Sequence, residues 1–149
     1  MLFALRPVIL ETEGLVAALN QYAENILEND DLPVQVETVN FEANLDLETQ
    51  GVVFAILEEA INNARKHAQA LSILVRLRGE GDLLVAEVID DGRGFDVEAV
   101  ETGYGSRGSL GMLNLKERAV LIGGTVNVES VQGQGTRVTL LVPVPEEAD

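Results

Sequence analysis

Apolar residues recur at helical spacing through the middle of the chain. Val53, Leu57, Ala60, Ala64 and Ala68 fall three or four apart and form one stripe. Glu59, Asn63 and His67 are each four apart and run along the flank of that stripe, where side chains are half buried and held still. The spacing predicts a long helix capped by Asp46, with Glu48 in its first turn and an end near Ala70. Upstream, Leu15, Leu19, Tyr22 and Ile26 predict a helix over residues 11–27, stopped by the polar run before Pro33. Residues 2–10 are mostly apolar, are interrupted by Pro7, and read as the end of a helix that began earlier.

Strands are predicted where the period drops to two. The first spans residues 34–39. Leu71, Ile73, Val75 and Leu77 share one face of a second over 71–78, and the turn Gly79-Glu80-Gly81-Asp82 returns the chain into a third over 83–89. Residues 90–107 show no periodicity. A helix is predicted over 110–122, stopped by Gly123-Gly124. Strands over 125–130 and 136–142 follow, joined by a glycine-rich turn, and the tail 146–149 is expected to be disordered. Hairpins and helices mix without a repeated strand-helix-strand unit. The expected class is therefore α+β, a two-layer sandwich of a mixed β-sheet covered on one face by helices.

Composition narrows the function. The chain has 149 residues, no cysteine and a formal charge of −15. Disulfides, thiolate metal sites and cysteine nucleophiles are excluded, and nucleic acid is a poor partner for so acidic a chain. No apolar run approaches a membrane span, so the chain itself is expected to be soluble. Arg65, Lys66, Arg93, Arg107, Lys116 and Arg118 are cations gathered in the segments that carry the motifs. That clustering suits an anionic ligand, and ordinary ion pairing would also produce it.

Four motifs carry candidate chemistry. A carboxylate and an amide at Glu59 and Asn63 suit a magnesium or water site. In Asp90-Asp91-Gly92-Arg93-Gly94-Phe95-Asp96 a carboxylate follows a strand and two glycines let a ligand approach. Such an Asp accepts from an exocyclic amine, adenine's for example, and would reject guanine. A hairpin turn needs the same residues. The run from Gly103 to Met112 is glycine-rich and leads into a helix, an arrangement that favours phosphate and is also that of a flexible loop. Gly133-Gln134-Gly135-Thr136-Arg137 is adequately explained as a turn.

In order and spacing the four resemble the N, G1 and G2 boxes and closing Gly-x-Gly-Thr turn of the GHKL ATPase superfamily. Asn63-Ala64-Arg65-Lys66-His67-Ala68, Asp90-Asp91-Gly92-Arg93-Gly94-Phe95 and Asn114-Leu115-Lys116-Glu117-Arg118-Ala119 look like the ATP-binding catalytic domain of a bacterial sensor histidine kinase. The His four residues after the Asn resembles the nitrate-sensor and desaturase-sensor class. The resemblance implies a Bergerat-type ATP-binding fold over residues 26–145, with residues 1–25 as the end of a dimerisation helix and a connecting helix.

It implies roles as well. Asn63 would give an oxygen to Mg²⁺, and Glu59 would orient the attacking group or accept its proton. Asp90 would bind the adenine amine, with Gly92 and Gly94 making room for the base. Lys66 and His67 would lie near the phosphates. Gly105, Gly108 and Gly111 would belong to a mobile lid, Leu110 would also bind ATP, and Thr136 would support the network beside Asp90. Mobility is expected over residues 100–110. ATP and Mg²⁺ are the implied cofactors, a histidine-bearing dimerisation domain and, indirectly, a response regulator the implied partners, and the cytoplasm the implied location, whatever anchors the parent.

Two features depart from that class. Ser106 and Ser109 stand where many relatives carry Gly and Leu. The only His is His67, inside the N box, so the phosphoacceptor must come from elsewhere and the chain is expected to be a monomeric fragment. The competing readings are a stand-alone protein-serine kinase of the anti-sigma-factor type and a degenerate domain that keeps the fold for protein contacts.

Overall fold

The structure, a computed structural model, describes residues 7–41, 45–67, 69–93 and 107–144, with the side chains of His67 and of residues 107–113 outside the description. The elements are α1 (Val8–Glu13), α2 (Leu15–Asp30), β1 (Val34–Val39), α3 (Leu47–His67), β2 (Ile73–Glu80), β3 (Leu83–Asp90), α4 (Arg107–Val120), β4 (Thr125–Val131) and β5 (Gly135–Pro143). The strands form one sheet in the order β1-β2-β3-β5-β4. β1 and β2 run parallel, with α3 as their crossover, and every other pair is antiparallel.

The predicted stripe on α3 is the centre of the core. Val53 and Leu57 are fully buried, and Ala60 and Ala64 nearly so; Ala68 lies outside the described residues. They meet Ile73, Val75 and Leu77 of β2, Leu84, Ala86 and Val88 of β3, and Val138, Leu140 and Val142 of β5. These positions alternate along their strands, so one face of the sheet takes the helices and the other is left open. The Asp46 cap is present, its Oδ1 accepting from the Thr49 backbone N–H at 2.7 Å.

The open face carries a row of alternating charge. Arg76 Nε lies 2.6 Å from Glu37 Oε1. Its Nη1 lies 3.8 Å from Glu87 Oε1, and Arg137 Nε lies 3.7 Å from Glu87 Oε2. Glu87 and Val85 are nonetheless buried on this face.

Several boundaries differ from expectation. The single helix over 11–27 is two helices broken at Gly14. With φ of +98°, Gly14 closes α1 through its N–H to Ile9 and Leu10 carbonyls, and its own carbonyl opens α2 at Ala18. α2 then runs on to Asp30, where Asp31 ends it in the left-handed region. β2 starts at Ile73 rather than Leu71, because the Leu71 and Ser72 N–H groups are bound by a carboxylate instead of a strand. α4 starts at Arg107 and ends at Val120, three residues early at its start and two at its end. Gly108, expected in the loop before the helix, is therefore helical, together with Leu110 and Gly111.

Candidate functional site

β3 delivers the key carboxylate by its period of two. Leu84, Ala86 and Val88 point into the core, and Asp90 is the next residue on that face. Its side chain follows the apolar ones under the helices and is only 7% exposed. Burial pushes its carboxyl up from the usual range, while the N–H groups of Gly92 and Thr136 hold it partly down. The Gly92 N–H donates to Asp90 Oδ1 at 2.8 Å. A buried carboxylate with spare acceptor capacity at the end of a strand can take a donor from a ligand.

The turn before β5 forms the wall beside it. Thr136 is the direct cross-strand partner of Asp90, and Ser130 is the partner of Thr136. The two hydroxyls are 2.7 Å apart, and Ser130 Oγ donates to the Gly135 carbonyl at 3.2 Å. Gly135 sits at φ +121°, and a side chain there would run into the Asp90 carbonyl. The Gly133 N–H donates to the Arg93 carbonyl. The fourth motif is thus locked against the second. Read alone it is sufficiently explained as a turn; the close approach to the Asp90 backbone is what requires glycine at position 135.

Asp91 faces the other way. Its Oδ1 accepts the Leu71 and Ser72 N–H groups at 2.8 and 3.0 Å, and its Oδ2 accepts the Ser72 hydroxyl at 3.1 Å. The Ser72 N–H, the strongest influence, holds its carboxyl below the usual range. One Asp-Asp pair therefore binds in two directions, Asp90 into the site and Asp91 onto the chain leaving α3.

Glu59 and Asn63 are half buried on the flank of α3, as expected. α3 packs on β3 and on α4. Between Glu59 and Asn63 in sequence, Asn62 accepts from the Tyr22 hydroxyl at 2.6 Å. Burial and the nearby Glu58 push Tyr22 up to about 12, so it stays a neutral donor. Glu58 is pushed up by burial and by Glu59, against the pull of Arg118 on α4. Arg118 Nη1 also reaches the Ala55 carbonyl at 3.5 Å. Among the clustered cations, Arg65 is held by Asp30 at 2.8 Å. Lys66 is exposed and lines a cavity of roughly 320 Å³ with Asp30, Asp31, Leu32, Arg65, Gln69, Ala70 and Leu71. Among the described residues, none of the other predicted site residues lines it.

Asp90, Gly92 and Thr136 are thus brought into direct contact. Glu59 and Asn63 share one row of α3. Gly108, Leu110 and Gly111 open α4. Gly94 and Gly105 lie outside the described residues, as does the side chain of His67. Asp91, Ser130 and the close approach of Gly135 were not singled out from the sequence. Ser130 alone had a signal there, since it faces Thr136 across the predicted hairpin. Among the described residues no three His, Asp or Glu side chains gather as a metal cluster, and no helix is long and apolar enough to cross a membrane. A half-buried amide at Asn63 suits magnesium, which takes few protein ligands and completes its shell with water and phosphate oxygens.

Residues 49–146 match the family described as histidine kinase-, DNA gyrase B-, and HSP90-like ATPases. Over 147 residues the chain is 42% identical to an uncharacterized sensor-like histidine kinase of Chloroflexus aurantiacus; the match takes in 97% of this chain and 25% of that protein. The chain thus spans about a quarter of that relative's length. Among solved structures, the blue-light activated histidine kinase of Erythrobacter litoralis EL346 is 28% identical over 87% of this chain and 42% of that one, with a TM-score of 0.67. The Acinetobacter baumannii histidine kinase AdeS shares the fold, with a TM-score of 0.68 at 15% identity over 93% of this chain and 74% of that one.

Proposed function

Because the chain belongs to the histidine kinase-, DNA gyrase B-, and HSP90-like ATPase family, we propose that it is the Mg-ATP-binding catalytic domain of a two-component sensor histidine kinase. The observation that carries this is the buried Asp90 carboxylate, fixed by the Gly92 and Thr136 N–H groups and walled by Gly135. In this reading Asp90 accepts the adenine amine and Thr136 completes the acceptor wall. Glu59 orients the attacking group or takes its proton, and Asn63 is the protein ligand of the metal. Lys66 and His67, and the start of α4 with Gly108, Leu110 and Gly111, serve the phosphates. Magnesium, when bound, neutralises phosphate charge. The protein's part is positioning, since phosphoryl transfer needs little covalent help from the enzyme.

The γ-phosphoryl acceptor is a His on a dimerisation segment, and a response regulator follows downstream. Two facts support this reading: the relatives above are named histidine kinases, and His67, the only His here, ends the helix that carries Asn63.

The experiment is calorimetric titration of ATP with Mg²⁺ into the wild type, Asp90→Ala and Asn63→Ala. Asp90→Ala is expected to abolish binding, and Asn63→Ala to weaken Mg-ATP while sparing adenosine. Equal affinity in all three would refute the site. Phosphorylation in trans of a supplied dimerisation domain then tests the acceptor.

A further inference from the structure

α2 holds the last turns of α3 through Tyr22 and Asp30. The Tyr22 hydroxyl donates to Asn62 Oδ1 at 2.6 Å, and its ring lies edge-on to Phe54 with centroids 6.2 Å apart. Arg65 Nη1 donates to Asp30 Oδ2 at 2.8 Å. Each held residue stands immediately before a residue of the candidate site, Asn62 before Asn63 and Arg65 before Lys66. One residue is about 100° of helix, so the ties and the Glu59–Asn63 row face different sides of α3. The core grips this part of the helix lightly. Among the described side chains of residues 60–66, the buried ones are Ala60, Ile61 and Ala64, and the two alanines reach no further than Cβ. A turn of α3 by about 10° about its axis would carry an oxygen at the helix rim, about 6 Å out, through about 1 Å. Magnesium holds its ligands in a near-ideal octahedron and does not follow one that far.

We propose that Tyr22 and Asp30 are positioning residues that fix the rotation of α3 and so set the Asn63 amide where magnesium requires it. This rests on the Mg-ATP reading above. Tyr22 is the stronger tie. It is half buried and its ring is packed on Phe54, so the phenol does not travel with a displaced helix and the bond resists the displacement. The Asp30–Arg65 pair is 32% exposed on both sides, which makes it the weaker one. α2, which carries none of the candidate ligands, thereby sets the metal affinity of its neighbour.

The test measures ATP dissociation constants by calorimetry, once with Mg²⁺ and once with EDTA. The ratio of the two constants is the readout, because a purely structural loss would shift both together. Tyr22→Phe keeps the ring against Phe54 and is expected to narrow the ratio roughly fivefold, about the worth of one hydrogen bond. Asn62→Ala removes the same bond from the other side and should give the same loss, with no further loss when the two are combined. Asp30→Ala should narrow the ratio about twofold. In an Asn63→Ala background the metal has lost its protein ligand, so Tyr22→Phe should leave the ratio unmoved. An unchanged ratio in Tyr22→Phe and Asn62→Ala overturns the proposal while leaving ATP binding intact. A wild type that binds no ATP, or binds it equally with and without the metal, overturns the reading beneath it and this one with it.

Discussion

Replacing Gly135 with Ala tests whether the β4–β5 turn is a wall of the site or only a turn. Gly135 holds φ at +121°, a region that L residues rarely adopt. Backbone strain there costs about 1–2 kcal/mol. A Cβ would also lie 3.1 Å from the Asp90 carbonyl carbon and 3.2 Å from Asp91 Cα, and it would overlap the Asp90 carbonyl oxygen outright. Relief requires the turn to withdraw or the Asp90 peptide to rotate, by on the order of 1 Å in either case, and overpacking of this kind costs about 1–3 kcal/mol. The total is about 2–5 kcal/mol, a fall in melting temperature on the order of 5–15 °C for a chain of this size. Both routes disturb the Thr136 and Gly92 bonds to Asp90. Bonds to a charged group are each worth about 1.5–3 kcal/mol, so ATP affinity should fall roughly ten- to a hundredfold. Gly133→Ala is the control. Gly133 also has a positive φ, of +83°, but nothing lies within 4 Å of its missing Cβ. It should lose about 1 kcal/mol and keep its affinity. Scanning calorimetry and ATP titration on both variants decide the matter. If Gly135→Ala melts early but binds ATP within twofold of the wild type, the turn is not part of the site.

Asp90→Asn should raise stability while destroying nucleotide binding. The folded-state pKa of Asp90 is raised by burial, so its contribution to stability is present at low pH and is lost as pH rises through that pKa. A neutral Asn escapes this loss. The variant should be the more stable at pH 7, and the gap should close toward pH of about 4, where the free carboxyl also takes up its proton. Denaturant midpoints across that range check it, and a variant that is less stable at pH 7 with a constant gap contradicts the assignment. Asp91→Ala should free the Leu71 and Ser72 amides to exchange faster, whereas Asp91→Asn keeps an oxygen for both and should protect them. Amide exchange by NMR distinguishes the two, and equal protection in Ala and Asn would remove the clamp.

The legible parts of this fold were those governed by period. The stripe on α3 and the alternation of Ile73, Val75 and Leu77 along β2 follow from local spacing alone. The cap at Asp46 was equally local. What escaped depended on contacts distant in sequence. Nothing near Leu71 announces that its N–H will be taken by Asp91, so β2 was expected two residues early. Gly14 looks like one glycine within a helical pattern until its left-handed φ divides α1 from α2. The start of α4 at Arg107 was hidden because glycine and serine at positions 108, 109 and 111 argue locally for a loop, while Leu115 and Ala119 hold that helix against the core. At the site, resemblance named Asp90 and Thr136, but the roles of Asp91, Ser130 and Gly135 came from geometry.

The Asp90–Thr136 pairing closes one end of the β3–β5 ladder. Among the described residues, that seam is the only strand pairing that joins β1, β2 and β3 to the β4–β5 hairpin. A ligand gripped by both residues therefore acts as a rivet between the two parts of the sheet. Its linkage energy, about 2.7 kcal/mol at a hundredfold excess over Kd, opposes detachment of the hairpin before it opposes anything else. Nucleotide occupancy should then be readable far from the base, as slower opening of β4, the outermost strand, whose only neighbour is β5.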